Sequence, residues 1–309
     1  MRIAITGSTG LVGKSLVKAL EGRGHEVLRL VRGTPNHPTE VRWDPHSVLT
    51  ADPDLEGLDA VIHLAGENIA ARRWSATQKE RIRSSRVEGT RNLVASLSTL
   101  SSPPRTFICA SAVGFYGDRG NELLDERSAR GSGFLAETCE EWEAEASKAT
   151  SFARTILARF GVILSPEGGA LKKMLLPFKM GGGGRLGTGK QHMPWIALGD
   201  AVNALVHSVE NESVKGVVNV VAGSVTNAEY TRTLGRVLSR PTVFPMPAPI
   251  ARLAFGEMAQ ELLLSSQNVQ PKALEESGFK HDHPELEDAL RHLLARPVRQ
   301  RPVPVGGSA

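Results

Sequence analysis

The sequence predicts an α/β fold, a doubly wound parallel sheet with a smaller C-terminal lobe, and two observations lead there. Short apolar runs bounded by turn residues recur at 3–6, 27–31, 60–64, 107–111, 155–159 and 217–221. Runs of this length suit strands buried on both faces. Between the early runs lie helical spacings, and strands alternating with helices build a parallel sheet.

Taken in order, the first strand runs from Arg2 to Thr6 and feeds a helix over 11–21, with Leu16 and Leu20 four apart. Gly24 sits where a helix stop needs a left-handed residue. The second helix is predicted over 76–97, with Ile82, Arg86, Thr90, Leu93 and Leu97 on one side. Ser75 and Gln78 have the spacing of a capping box at its start. A helix from 133 carries the stripe Leu135, Cys139, Trp142 and Ala146, which predicts a core thiol at Cys139. Its acidic cluster Glu137, Glu140, Glu141, Glu143 and Glu145 reads as a solvated face.

After Leu164 the regularity weakens through Gly168-Gly169, Pro177 and the glycines of 181–189. The predicted organisation is a nucleotide-binding domain over 1–165, its sheet completed by about 195–222. An excursion over 166–194 and a lobe over 223–295, with helical spacings near 229–238 and 285–294, form the substrate side. A tail over 296–309, rich in proline and without apolar periodicity, reads as flexible.

At 309 residues, 40% apolar and 23% charged, the chain has the composition of a globular protein. Its 37 basic and 33 acidic residues are scattered, so no nucleic-acid partner is implied. Two cysteines make no disulfide framework, and Met1 leads straight into strand-like sequence. No window approaches the roughly 20 apolar residues of a membrane span. The expectation is a cytoplasmic protein without a membrane partner. Among nine histidines only His281 and His283 pair closely; they read as exposed loop residues, so no metal is expected.

The segment Thr6-Gly7-Ser8-Thr9-Gly10-Leu11-Val12-Gly13 sets glycines three apart between a strand and a helix. Gly7 permits the tight turn, Gly10 lets backbone approach a pyrophosphate, and Gly13 allows close helix–strand packing. The phosphates meet free N–H groups and the positive end of the helix dipole. The dinucleotide-binding set here is Gly7, Thr9, Gly10, Leu11 and Gly13, in a Rossmann-type fold. NAD-preferring versions carry an acidic residue about 20 positions on. This chain has Leu30-Val31-Arg32-Gly33 instead, and the Arg32 fork suits a 2′-phosphate, so NADP(H) is the expected cofactor.

This motif, with Asp59-Ala60-Val61-Ile62-His63-Leu64-Ala65-Gly66 and the segment 111–117, resembles the extended short-chain dehydrogenase/reductase superfamily. Gly66-Glu67-Asn68-Ile69, Ser85-Arg86, Leu175-Leu176-Pro177-Phe178, Pro194-Trp195-Ile196 before Asp200, and Pro271-Lys272-Ala273-Leu274 before Gly278-Phe279 resemble its atypical nucleoside-diphosphate-sugar epimerase branch. The resemblance covers nearly the whole chain. It implies backbone contacts to the cofactor from Leu64, Ala65 and Gly66, and a nicotinamide bordered by the chain around Ile163. Arg86 stands where relatives usually carry asparagine, and its charge could reach a cofactor phosphate or ribose.

Working members of that superfamily use a tyrosine and a lysine four residues on, so that the ammonium lowers the phenol pKa. Here the matching pair is Phe134 with Thr138 or Leu135 with Cys139, and neither alignment supplies a phenol or an ammonium. The candidate catalytic pair is then Ser111 and Tyr116, at the carboxyl edge of a strand where such sheets bind ligands. A packing role for both stands open beside the catalytic one. Two functions follow: an NADP(H)-dependent reductase or epimerase acting on a small polar, nucleotide- or sugar-like substrate, or a non-catalytic NADP(H) sensor or scaffold.

Gly184-Arg185-Leu186-Gly187-Thr188-Gly189-Lys190-Gln191 nearly spells a P-loop, but Gln191 replaces the Ser or Thr that reaches Mg²⁺ and no strand precedes it. It reads as a loop beside the substrate cleft, offering Arg185, Lys190 and His192 to anionic groups.

Overall fold

The computed structural model describes residues 1–48 and 53–295; the expected tail 296–309 lies outside them. The strands are β1 Arg2–Thr6, β2 Glu26–Val31, β3 Glu40–Arg42, β4 Ala60–His63, β5 Thr106–Ala112, β6 Leu123–Leu124, β7 Arg154–Phe160, β8 Val162–Leu164, β9 His192–Ala197, β10 Gly216–Val220, β11 Gly223–Thr226 and β12 Asn268–Val269. The helices are α1 Leu11–Gly22, α2 Ala76–Ser98, α3 Phe134–Ser147, α4 Gly169–Lys179, α5 Leu198–Glu210, α6 Asn227–Leu238, α7 Ala248–Phe255, α8 Glu257–Ala259, α9 Lys272–Glu276 and α10 Leu286–Leu294.

Seven strands form one parallel sheet in the order β10-β7-β5-β4-β1-β2-β3. The chain winds outward from β1 to β3, returns to place β4 on the other side of β1, and winds outward again. The β1/β4 boundary is therefore the switch point, where adjacent connections leave in opposite directions and open a crevice at the carboxyl edge. α1 and α5 cover one face, burying Ile3, Ile5, Ile62, Ile108, Leu16 and Leu205. The other face buries Ala4, Val61, Phe107 and Leu157 with Leu93, Leu97, Trp142 and Ala146 of α2 and α3. Each strand alternates between the two cores, as the period-2 pleat dictates.

Ser75 caps α2, its Oγ accepting from Gln78 N at 3.2 Å. Only half of the expected box forms, because the Gln78 amide instead donates to Glu67 Oε1 at 3.3 Å. β3 escaped the sequence pattern: it has three residues, of which Val41 alone is buried. Residues 192–197, expected to help complete the main sheet, lie instead in a three-stranded sheet, β11-β9-β8. Trp195 and Ala197 bury into a separate core with Leu164, Leu171, Phe178, Tyr230 and Leu234, and that core draws the strand out of line. α4, which the sequence reading lacked, supplies Leu171 and Phe178 to it despite Pro177. Among the described residues no helix is long and apolar enough to cross a membrane.

Candidate functional site

At the switch point β1 ends at Thr6 and α1 begins at Leu11, with a sharp turn between. Gly7 adopts φ +69°, and a Cβ there would lie 2.8 Å from the Leu64 carbonyl carbon. A Cβ on Gly13 would come within 2.2 Å of Gly7 O, so α1 can lie this close to the turn only with glycine at 13. The first turn of α1 has no side-chain cap and no acidic residue. Its amides and dipole are thus left for an external anion. Thr9 and Gly10 are exposed above it, while Leu11 and Ile163 converge on the Gly168-Gly169 turn. Arg32, directly after β2, is exposed and forms no hydrogen bond or ion pair with another described residue.

Thr6 ties the two loops of the crevice together. Its Oγ1 accepts from Leu64 N (3.1 Å) and Ala65 N (3.2 Å), which leaves its own proton for His63 Nδ1 at 2.7 Å. That assigns the Nε2–H tautomer to His63. Nε2 has no hydrogen-bond partner, and the ring stands edge-on to Trp43 with centroids 5.7 Å apart. Burial, with a smaller contribution from the Arg86 charge, pushes the imidazole down to about 3.

Arg86 lies beneath the Gly66 turn. A Cβ on Gly66 would sit 3.3 Å from its Cζ, and the guanidinium also stands 5.2 Å from the Trp142 ring centroid. Nη1 donates to Glu67 O and Ile82 O, each at 3.1 Å. Burial holds this guanidinium below its ordinary value.

Ser111, Arg159 and Asn219 share one register row across β5, β7 and β10. Ser111 Oγ donates to Glu143 Oε1 at 2.6 Å. Arg159 grips both oxygens of Glu143 through Nε and Nη2, each at 2.7 Å, and Nη1 donates to the Tyr116 hydroxyl at 3.0 Å. That hydroxyl lies 2.8 Å from Asn219 Oδ1 and 3.0 Å from Asp125 O. The guanidinium stacks on Phe115, 3.4 Å from the ring centroid.

Ser111 and Tyr116 are therefore brought into one network, but through Glu143 and Arg159. Tyr116 is fully buried, and burial outweighs Arg159 in raising its phenol above the usual range. A phenol so enclosed and engaged has no face open to a substrate, so of the two roles left open by the sequence this geometry suits packing. The remaining tyrosine, Tyr230, is also buried.

Glu143 and Glu145 correct the reading of a solvated acidic face, since both are buried. The signal was present: Glu143 falls four residues after Cys139, toward the apolar stripe. Cys139 itself is in the core, and burial pushes its thiol up to about 11. At the dyad position Phe134 packs edge-to-face on Trp74, with centroids 5.2 Å apart. A hollow of about 430 Å³ opens beside it, lined by Trp74, Ser75, Lys79 and Glu257. Lys79 Nζ meets Glu257 Oε1 at 2.8 Å, joining α2 to the C-terminal lobe.

The glycine loop 184–191 is pinned from inside. Gln191 donates to Leu186 O and Leu263 O, each at 3.0 Å, and Leu186 N donates to Asn227 Oδ1 at 2.7 Å. Arg185 and Lys190 remain exposed, whereas His192 Nδ1 is buried without a partner. His281 and His283 are half-buried rather than exposed; the first lies 2.9 Å from Val221 O and the second stacks on His292.

The NAD dependent epimerase/dehydratase family model matches residues 3–221. The chain belongs to that family. A domain of unknown function, DUF1731, matches residues 246–293 of this family member. An epimerase family protein of Mycobacterium bovis is 43% identical over 297 residues, 96% of this chain and 98% of its own. The human epimerase family protein SDR39U1, isoform 2, solved with NADPH, superposes with a TM-score of 0.86 at 35% identity, covering 95% of this chain and 99% of that one. MoeE5, solved with UDP-glucose and NAD, shares the fold at 20% identity and a TM-score of 0.73, covering 94% of this chain and 96% of its own.

Two predictions follow from the buried charges. His63 is neutral when folded and titrates near 6.5 when unfolded. Below about pH 6.5 the unfolded state takes up a proton that the folded state refuses until about pH 3, so stability falls with pH through that window. In His63→Gln, urea unfolding at pH 5–6 loses that part of the slope, about 1.4 kcal/mol per pH unit. Glu143→Gln leaves Arg159 buried without its counter-charge, and its urea midpoint falls by the equivalent of about 3–5 kcal/mol. Ser111→Ala, which leaves the ion pair intact, costs about 1 kcal/mol in the same measurement.

Proposed function

We propose that this chain is an NADP(H)-dependent oxidoreductase or epimerase acting on a small polar substrate of nucleotide-sugar type. The uncapped start of α1 over its glycine turn carries the reading, since amides without an internal acceptor suit a diphosphate. Gly7, Thr9, Gly10, Leu11 and Gly13 hold the pyrophosphate, and unpaired Arg32 takes the 2′-phosphate. Leu64, Ala65 and Gly66 follow the cofactor across the switch point through backbone, Arg86 serves it from below, and Ile163 borders the nicotinamide. The human relative solved with NADPH supports the choice of cofactor.

Bound cofactor supplies hydride chemistry. Ser111 holds a substrate oxygen, and Tyr116 acts from behind by bracing Arg159. The 166–194 excursion and the 223–295 lobe enclose the substrate against the sheet. Two buried free thiols suit a reducing, cytoplasmic setting. One observation favours a second reading, a non-catalytic NADP(H) sensor: α3 offers neither phenol nor ammonium, and the Tyr116 hydroxyl is enclosed.

Fluorescence titration should show NADPH binding tighter than NADH. Arg32→Ala weakens NADPH by about 10- to 100-fold and leaves NADH nearly unchanged. Carbonyl compounds and UDP-sugars are then screened for absorbance change at 340 nm and, by NMR, for epimerised product. Turnover that Ser111→Ala abolishes supports the enzyme. Tight NADPH binding without turnover on any compound supports the sensor, and NADH binding as tightly as NADPH sinks the NADP(H) assignment.

A further inference from the structure

Three arginines reach inward, Arg159 buried and Arg86 and Arg154 half-buried, and they are satisfied differently. Arg159 sets one edge, Nε and Nη2, on both oxygens of the Glu143 carboxylate, and Nη1 on the Tyr116 hydroxyl. Arg154 donates from Nη1 and Nη2 to four carbonyls and the Thr106 hydroxyl. Arg86 has two carbonyls, both on Nη1, and its Nε and Nη2 make no hydrogen bond with any described residue. Among the described residues no acidic side chain bonds it, so these donors are left for an acceptor from outside the protein.

What that acceptor can be is set by position. Gly66, exposed at the end of β4, lies against the guanidinium, and any side chain there would fill the space over it. A dinucleotide in such a sheet straddles the switch point, with its adenosine over β2 and its nicotinamide over β4 and β5. Arg32 marks the adenosine end after β2. Arg86 lies at the end of β4, two strand spacings away in the order β2-β1-β4. That separation is about 10 Å. The pyrophosphate position at α1 falls between them, on the face opposite to α2. The cofactor group that continues from it toward Gly66 is the second ribose.

We propose that Arg86 binds the ribose of the nicotinamide half, Nε and Nη2 donating to its hydroxyl oxygens. α2 thereby supplies the interior cation that α3 lacks. The proposal rests on the NADP(H) reading and narrows it, since the adenosine phosphate is left to Arg32.

The test is a set of binding titrations with wild type, Arg86→Met and Arg32→Ala, using NADPH and 2′,5′-ADP, which carries the adenosine end alone. Arg86→Met should bind NADPH about 10- to 100-fold more weakly and 2′,5′-ADP unchanged, which also shows that it is folded. Arg32→Ala should weaken both. An NADPH analogue with a 2′-deoxy nicotinamide ribose separates contact from mere support of the Gly66 turn: wild type loses affinity for it, and Arg86→Met loses no more. Equal losses in the two proteins, undiminished NADPH binding by Arg86→Met, or a parallel loss of 2′,5′-ADP each overturn the proposal. Wild type that binds neither ligand overturns the cofactor reading as well, which the other outcomes leave standing.

Discussion

Everything at the carboxyl edge of the sheet depends on how closely α1 approaches the turn that precedes it. With 2.2 Å between a hypothetical Gly13 Cβ and Gly7 O, one methyl group at position 13 would push the helix off the sheet. The same constraint operates sideways, because Gly7 lies against the backbone of Leu64 and Ala65. The β1 and β4 loops are thus a single packed unit, tied by the Thr6 hydroxyl. A crevice with rigid backbone walls and unpaired amides can bind a charged ligand without first ordering itself, which lowers the entropic cost of binding.

The central strands are largely apolar, and β1, β4, β5, β7 and β10 each place a polar residue at or one before their carboxyl end. Thr6 and His63 are register partners, as are Ser111, Arg159 and Asn219 two residues nearer the edge. Polar groups packed under a site must find partners within the protein, because water does not reach them. Ser111, Arg159 and Asn219 do so in a chain that ends at Gln270, which Asn219 Nδ2 reaches at 3.0 Å, whereas His63 Nε2 has no partner among the described residues. Buried ion pairs add little net stability over an apolar replacement. The effect of Glu143 and Arg159 is on geometry: the Ser111 proton is committed to Glu143, so toward any other group Ser111 can only accept.

Local patterns made half of this legible. The β1 strand, its glycine turn and α1 are contiguous, so spacing alone located the cradle, and Ser75 marked the start of α2 by its residue type. What depends on partners far along the chain was not legible. The apolar run at Trp195 reads the same in either sheet, and only the core formed with Tyr230 and Leu234 decides which one it joins. Charge composition masked Glu143: five acids on one helix look solvated, yet spacing carried this one inward to meet Arg159, sixteen residues later. Tyr116 was found as a residue, but not as an enclosed one, because its partners Arg159 and Asn219 come from β7 and β10.

α3 carries neither tyrosine nor lysine, and the positive charges near the sheet edge come from elsewhere. That pair needs a phenol facing the cleft and an ammonium one turn away, and α3 presents Phe134 and Leu135 there, packed on Trp74 and in the core. Positive charge enters from other elements, Arg86 on α2 beneath β4 and Arg159 on β7 behind Ser111. The two differ in what they have left to give. Every nitrogen of Arg159 is engaged, one edge on the Glu143 carboxylate and Nη1 on the Tyr116 hydroxyl, so it fixes its neighbours, whereas Nε and Nη2 of Arg86 find no acceptor among the described residues, under an exposed glycine. On the proposed reading a ligand at the β4 edge meets the free donors of Arg86 and one at β5 meets a hydroxyl that accepts, two demands that suit a polyhydroxylated group better than an apolar one.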